Sequence, residues 1–214
     1  MSTALASKSK RADEAVDALR LRVLAREGKR AQRNDALVVL LTSRLSEEGV
    51  TTVAAALARA FAKKGDGRVL LIDADVVSKD LVKRAPAREA IVIESAEQLD
   101  PEVEIKPVNG WNVDLVGLAT SSDGGQAFDA NRWEKFTSGL RSRYDIIVVD
   151  AGTLKSGVPQ FWSDSASQIV LVIDSSRTSV NALERLRKEL KDAGMTLSGV
   201  IMNKREYPIP SLFY

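Results

Sequence analysis

Short runs of apolar residues recur along the chain, separated by segments with a helical repeat. The runs are continuous rather than alternating, which is the pattern of parallel strands buried on both faces of a sheet. The predicted strands are residues 36–41, 69–72, 146–149, 169–173 and 198–202, with weaker ones at 91–93 and 113–116. They indicate a sheet that is covered by helices on both sides.

The segments between the runs place their apolar residues at helical spacing. Residues 51–64 are rich in alanine and end before Gly65, residues 131–143 carry an aromatic stripe, and residues 180–193 end before Gly194. A glycine after the last turn is a common helix stop. The alternation of strand and helix predicts an α/β fold, a three-layer sandwich around a mostly parallel sheet.

The first 33 residues differ in composition from the rest. They hold nine Lys/Arg against four Asp/Glu, and the apolar residues from 12 to 33 recur near helical spacing. We predict a helix over 12–33 behind a disordered tip, serving as a packing or oligomer contact, with a solvated basic arm as the alternative. The predicted organisation is this arm at 1–33, one domain at 34–206 and a tail at 207–214.

Composition narrows the possible chemistry. The 214 residues include no Cys and no His, which excludes disulfides, thiol nucleophiles, histidine bases and the usual zinc sites. Catalysis would have to use carboxylates, hydroxyls, Lys/Arg, amides or a hard cation. A net charge of +2 argues against a nucleic-acid partner. No apolar run is long enough for a transmembrane helix, and the start lacks the apolar stretch of a secretory signal.

The segment between the first strand and the first long helix is where a phosphate loop would lie. Such a loop follows G-x-x-x-x-G-K-[ST], because glycine lets the backbone wrap the phosphate and lysine reaches its oxygens. Gly49, Thr51 and Thr52 fit the end of this pattern. Val50 stands in the lysine position, and Glu47 stands where a related form has glycine. The loop alone is a weak match.

Acidic residues follow two of the predicted strands. Asp73 and Asp75 end one strand, and Asp150 ends another. The carboxyl ends of neighbouring parallel strands meet at one crevice, so these carboxylates could hold Mg²⁺ through water with the Thr51 hydroxyl as a direct ligand. The alternative is that they accept structural hydrogen bonds from turns and helix ends.

Taken in this order, the segments resemble the MinD/ParA-type P-loop proteins, and most of all the bacterial tyrosine kinases of polysaccharide synthesis. The likeness lies in the loop at 43–52, in the apolar-D-x-D segment at 70–77, in the apolar-D segment at 147–152 and in the last strand at 199–205. It implies that Asn203 faces adenine and that Gly49, Thr51 and Thr52 bind nucleotide. It further implies that the aspartates serve metal binding and catalysis if the protein is active.

Several positions depart from the family pattern. Besides Val50 and Glu47, Val77 replaces a motif arginine, Gly152 replaces a motif proline, and Leu45 replaces the signature lysine of MinD/ParA proteins. Glu14, Asp17 and Arg20 match the family's oligomer contact only in part, since Asp17 stands for an arginine. The C-terminal tyrosine cluster is reduced to Tyr207 and Tyr214, which we interpret first as packing residues.

These departures lead to a hypothesis of a non-catalytic relative. We expect Glu47 or Glu48, with Ser46, to cap the amides that would otherwise hold phosphate, so that no cofactor is expected unless the loop still accepts Mg-ATP or Mg-ADP. The resemblance implies a cytoplasmic protein of bacterial exopolysaccharide, capsule or holdfast-type polysaccharide synthesis or export. It would lie at the inner membrane, bound to a chain-length or export partner, and could self-associate through the N-terminal helix. The alternatives are an active tyrosine autokinase and, less favoured, a ParA/MinD-like positioning ATPase.

Overall fold

A computed structural model describes residues 2–27, 35–75, 81–82, 90–94, 98–118 and 130–204. Its strands are β1 (Leu37–Ser43), β2 (Val69–Asp73), β3 (Ile91–Ile93), β4 (Pro107–Val108), β5 (Val113–Leu118), β6 (Ile146–Thr153), β7 (Gln168–Asp174) and β8 (Gly199–Asn203). Its helices are α1 (Ser2–Glu27), α2 (Val50–Lys64), α3 (Ala130–Arg143), α4 (Val158–Ser163) and α5 (Val180–Asp192), with a 3-10 turn at Leu154–Ser156.

The strands form one sheet in the order β3-β5-β2-β6-β1-β7-β8, and β4 pairs with β5 outside this path. All pairs along the path are parallel, whereas β4 runs antiparallel to β5. The predicted α/β class and mostly parallel sheet are therefore confirmed. The predicted strands and the three predicted long helices of the domain are present, with ends that shift by a few residues. The two-residue strand β4 and the short helix α4 were not predicted.

Successive residues of the central strands enter two different cores. Val38, Leu40 and Ile72 point into the core shared with α3, α4 and α5, whereas Val39 and Leu71 point into the core shared with α1 and α2. Continuous apolar strands are required because both faces of the sheet are covered. The carboxyl ends of the strands are left as the edge where polar groups gather.

The N-terminal helix differs from the prediction at its start. It begins at Ser2 rather than 12, so the expected disordered tip is wrong for residues 2–11. The described helix ends at Glu27, and the predicted end at 33 lies outside the described residues. Val23 is buried beside α2, and Gln168 Nε2 donates to the Val23 carbonyl oxygen at 2.9 Å. Val23 and Gln168 of β7 are far apart in the sequence, so the hydrophobic spacing of the helix could not predict this contact.

A buried ion pair holds the same helix to the domain. Arg20 Nη1 lies 2.7 Å from Asp66 Oδ2, and Arg20 Nε lies 2.8 Å from Asp17 Oδ1. The side chain of Arg20 is only 8% exposed. The two carboxylates keep the pKa of Arg20 above its ordinary value, and the hydrogen bond from Arg20 lowers the pKa of Asp17. Arg20, which the resemblance assigned to an oligomer contact, is therefore engaged within its own chain.

Candidate functional site

The loop between β1 and α2 lies at the carboxyl ends of the strands, where open α/β sheets bind their ligands. Strand β6 is the central neighbour: Leu41 of β1 is in register with Asp150, and Asp73 of β2 is in register with the same residue. The structure thus brings the predicted loop and the predicted aspartates to one edge. This proximity is a consequence of strand order, which the sequence alone did not fix.

The backbone of the loop adopts left-handed conformations at two positions. Gly49 has φ 94° and Glu47 has φ 64°. A glycine accepts this region freely, whereas a side chain such as that of Glu47 adds strain. Gly49 is also crowded, because a Cβ atom there would lie 2.2 Å from Asn203 Nδ2. The loop therefore keeps a glycine-like path at position 47 without a glycine.

Glu48 organises the loop from the inside. It is 1% exposed, and its Oε2 atom accepts hydrogen bonds from the amides of Arg44 at 3.0 Å and Leu45 at 2.8 Å. Its Oε1 atom accepts from the amide of Asp174, at the end of β7, at 3.1 Å. A carboxylate that accepts several amides holds them firmly, since these bonds are charge-assisted. Glu48 ties the start of the loop to the neighbouring strand.

The expected self-filling of the phosphate cradle is wrong in one respect. Glu48 binds loop amides as predicted, but they are the amides that precede it, and it reaches no amide of the first turn of α2. Gly49 is the N-cap of α2, and no side chain caps this helix end. The first N–H groups of a helix have no partner within the helix, and the positive end of the helix dipole favours an anion. An anion can therefore still approach the start of α2.

Val50 supplies no charge to this helix end. It is the first residue of α2, it is 6% exposed, and its side chain belongs to the apolar core between α2 and the sheet. A cation does contact the loop from another side: Lys204 Nζ donates to the carbonyl oxygen of Glu47 at 2.6 Å and lies 3.6 Å from Asp174 Oδ2. Those contacts hold the loop and partly neutralise Lys204.

Asn203 performs a structural role in this arrangement. Its Nδ2 atom donates to the carbonyl oxygen of Glu48 at 2.9 Å. The resemblance had assigned this residue to adenine. The structure places its amide on the loop, so that strand β8 and the loop are directly joined.

Asp73 and Asp150 each keep one oxygen without a partner. Asp73 Oδ2 accepts from the amides of Leu81 at 3.0 Å and Val82 at 3.1 Å, and Asp150 Oδ1 accepts from the amide of Gly152 at 3.1 Å. Among the described residues, Asp73 Oδ1 and Asp150 Oδ2 are buried and lack a hydrogen-bond partner. Buried polar atoms of this kind call for a proton, a water or a cation.

Burial is the main cause of the raised pKa values of Asp73 and Asp150. Burial and the nearby charge of Asp75 raise the pKa of Asp73 to about 6, although the hydrogen bonds from the amides of Val82 and Leu81 act to lower it. Burial and the charges of Asp73 and Asp75 raise the pKa of Asp150 to about 7, although Thr51 and the amide of Gly152 act to lower it. A cation beside these oxygens would favour the charged forms.

The remaining predicted residues lie around this pair. Thr51 acts to lower the pKa of Asp150, and Asp75 lies against Gly152, where an added Cβ would be 2.8 Å from Asp75 Cγ. Gly152 has φ 61°, which the fixed ring of a proline cannot adopt, so this turn takes a path closed to the family's motif residue. Thr52 is exposed on the first turn of α2.

The residues present fit a Mg²⁺ ion held mainly through water. Thr51 offers a hydroxyl, and the unpartnered oxygens of Asp73 and Asp150 offer acceptors beside it. Within the described ranges, no three acidic side chains converge closely enough to form a metal cage by themselves. Mg²⁺ usually keeps several waters and shares phosphate oxygens, so such a cage is not required.

The sequence agrees with a known domain family over most of its length. The CobQ/CobB/MinD/ParA nucleotide binding domain matches residues 39–210. The chain belongs to this family. One relative, an uncharacterized ATP-binding protein of Methanocaldococcus jannaschii, is 24% identical over 174 residues, which are 78% of this chain and 64% of the relative. The chain thus spans less than two thirds of the length of that relative.

Solved structures of tyrosine kinase domains and of MinD have the same fold as this chain. The VpsO kinase domain superposes with a TM-score of 0.64 and 22% identity, covering 93% of this chain and 98% of that one. The kinase domain of the Escherichia coli tyrosine kinase ETK superposes with a TM-score of 0.62 and 21% identity, covering 91% of this chain and 77% of that one. MinD of Pyrococcus horikoshii, complexed with Mg-ADP, superposes with a TM-score of 0.55 and 20% identity, covering 83% of this chain and 75% of that one.

Among the residues that the structure describes, no helix has both the length and the hydrophobicity needed to cross a membrane. Tyr207 and Tyr214, and the tail that carries them, lie outside the described residues, as does Val77.

Proposed function

We propose that this protein is a kinase-like member of its family that binds Mg-nucleotide weakly, transfers no phosphate, and works by binding a partner. The observation that carries the proposal is Val50, a buried apolar side chain at the helix end where a triphosphate needs a cation. Phosphoryl transfer depends on positioning and on stabilising charge at the transferred phosphate. Val50 contributes neither a donor nor a charge.

The remaining groups support weak binding. The uncapped start of α2 favours a phosphate, and Thr51 with Asp73 and Asp150 favours the metal that accompanies it. A bound Mg²⁺ would supply charge neutralisation at the phosphates. Lys204 does not replace the missing lysine in this arrangement, because its ammonium group is held by the Glu47 carbonyl and by Asp174.

A titration with Mg-ADP tests the binding half of the proposal. The dissociation constant of wild type for Mg-ADP should be higher than micromolar. That of Val50→Lys should be lower than the wild-type value by a factor of about ten or more, since a charge-assisted contact contributes about 1.5–3 kcal/mol. Val50→Met is the matched control, because it has a similar length without the charge and should behave like wild type. Micromolar binding by wild type, or equal gains from both variants, would contradict the proposal.

Incubation with Mg-ATP tests the catalytic half. The second candidate function is an ATP-dependent tyrosine autokinase, which the uncapped helix end and the unpartnered oxygens of Asp73 and Asp150 favour. Under the main proposal, wild type shows neither phosphate release nor phosphotyrosine on a blot. A phosphotyrosine signal that Asp150→Asn removes would establish the kinase instead.

For the biological setting we propose bacterial polysaccharide synthesis or export. The support is the resemblance of the loop and aspartate segments to the tyrosine kinases of that process, together with the shared fold. The protein would be cytoplasmic and would be recruited to the inner membrane by a chain-length or export protein. Self-association through α1 remains part of this proposal, and no nucleic acid is involved.

Helix α1 is the proposed recruitment surface. Its C-terminal half packs on the domain through Arg20 and Val23, whereas residues 12–15 are exposed. A chain without residues 2–16 keeps the anchoring contacts and should lose copurification with the membrane partner while its unfolding midpoint stays unchanged. Unchanged copurification would remove α1 from the proposal.

A further inference from the structure

Helix α1 is apolar on two opposite sides. Leu19 and Val23 face the domain and pack in the core beside α2. On the outer side, Ala18, Leu21 and Ala25 are exposed, and Leu21 is 53% exposed. A helix that lies on a single domain needs one apolar stripe and carries polar residues on its outer side. Among the described residues, the outer apolar face of α1 is not covered.

The spacing of the outer face is that of a helix pair. Residues 14, 18, 21 and 25 are separated by four, three and four positions, which is the heptad spacing with which one helix packs along another. A single exposed leucine is ordinary on a protein surface. Leu21 differs because it lies on one continuous face with these other exposed positions. A second helix fits such a face.

The charges on the outer face are complementary to those of a copy of the same helix. Glu14 lies four residues before Ala18, and Arg22 lies four residues after it. Both charged side chains are exposed, and within the described ranges the ion pairs of α1 use Asp17 and Arg20 instead. Where two antiparallel copies of the helix cross at Ala18, Glu14 of each helix lies opposite Arg22 of the other. A parallel pair would instead place like charges together.

We propose that a second copy of this chain binds the outer face of α1, with the two helices antiparallel and a two-fold axis at Ala18. Leu21 of each copy then packs against Ala15 of the other, since these positions lie three residues on either side of the axis. The small side chain of Ala18 lets the two helices approach closely where they cross. Because the same face is used on both copies, the contact closes at two subunits.

This dimer deepens the self-association in the proposed function and rests on that part of it alone. It uses a different side of α1 from Arg20, which the resemblance assigned to an oligomer contact, because Arg20 is turned inward to Asp66. One pair of helices buries less surface than a standard protein interface, so the dimer should dissociate on dilution. Its ion pairs lie at the surface, so added salt should weaken it.

Oxidative cross-linking of two single-cysteine variants of the full chain tests the arrangement. The chain has no cysteine, so an introduced thiol can pair only with the thiol of another copy. Ala18→Cys places both thiols at the axis. Ala25→Cys is the matched control on the same exposed face, but its two thiols would lie about 21 Å apart, since residue 25 is seven residues from the axis in each copy. The covalent dimer should form at least about tenfold faster from Ala18→Cys, because a disulfide needs Cα atoms within about 7 Å.

Sedimentation equilibrium of charge-reversal variants tests the pairing. Glu14→Arg and Arg22→Glu should each raise the dissociation constant of the dimer about tenfold, because each homodimer would hold two like-charge contacts. An equimolar mixture of the two variants should recover the wild-type dissociation constant, since both contacts of the mixed dimer join opposite charges. All four side chains that are changed are exposed, so the urea midpoint of each variant should equal that of wild type.

Two results would overturn the proposal. One is cross-linking at residue 25 that is as fast as at residue 18, which would indicate a parallel pair or a random encounter. The other is wild-type protein that sediments as a monomer at about 100 μM, and this measurement needs no variant to fold. Neither result bears on the Mg-ADP titration or on copurification with a membrane partner, so failure of the dimer is distinct from failure of those parts of the proposed function.

Discussion

Asp150→Asn should stabilise the protein at alkaline pH. The Asp150 side chain is fully buried on β6, and burial raises its pKa from 3.8 to about 7. Above that pH the folded protein carries a buried charge that asparagine would remove. The isosteric amide keeps an oxygen for the Gly152 amide and places an NH₂ group near the Thr51 hydroxyl.

The sign and size follow from linkage. The folded pKa exceeds the unfolded one, so the folded state holds this proton longer, and the stability contributed by the neutral acid is lost between about pH 4 and pH 7. Each pKa unit corresponds to about 1.36 kcal/mol. The free energy of unfolding of Asp150→Asn relative to wild type should therefore rise by about 3 kcal/mol from pH 5 to pH 8, as an upper value.

Urea unfolding at pH 5 and pH 8, in buffer with a chelator, measures this difference. Asp174→Asn is the control at another strand end, because hydrogen bonds from Ser176 lower the pKa of Asp174 and its carboxylate stays charged across this range. Its difference from wild type should not grow with pH. If the difference for Asp150→Asn is the same at both pH values, or shrinks toward pH 8, the charge is not buried as the structure implies.

Three further changes have defined outcomes. Gly49→Ala should lower the free energy of unfolding by about 1–3 kcal/mol, because φ 94° disfavours a side chain and the new Cβ would meet Asn203; an unchanged urea midpoint would show that the loop relaxes. Glu47→Gly should stabilise by about 0.5–1 kcal/mol by relieving the left-handed strain at φ 64°, and destabilisation in the same assay would refute this. Arg20→Met should speed proteolytic cleavage of α1, because its pairing with Asp66 is lost; equal cleavage rates would show that Val23 suffices to anchor the helix.

Much of the fold could be predicted from the alternation of strands and helices along the sequence. Buried parallel strands must be apolar on both faces, so the runs at 36–41 and 146–149 could be predicted as strands without knowing which strands they pair with. The N-terminal helix was less predictable, because its position depends on Arg20 meeting Asp66 and on Val23 meeting Gln168. Contacts between residues so far apart leave no local periodicity.

The candidate site, too, could be predicted only in part from the sequence. The residue types of the loop and of the strand ends determined which chemistry was possible: carboxylates, a hydroxyl and amides, with a valine where a cation would serve a triphosphate. Only the tertiary structure decided how they are used. Glu48 turned inward because the amide of Asp174 on β7 lies within reach, and the pKa values of Asp73 and Asp150 are raised because strand order buries the two carboxyl groups side by side. Direction and burial are properties of packing, and a linear sequence does not contain them.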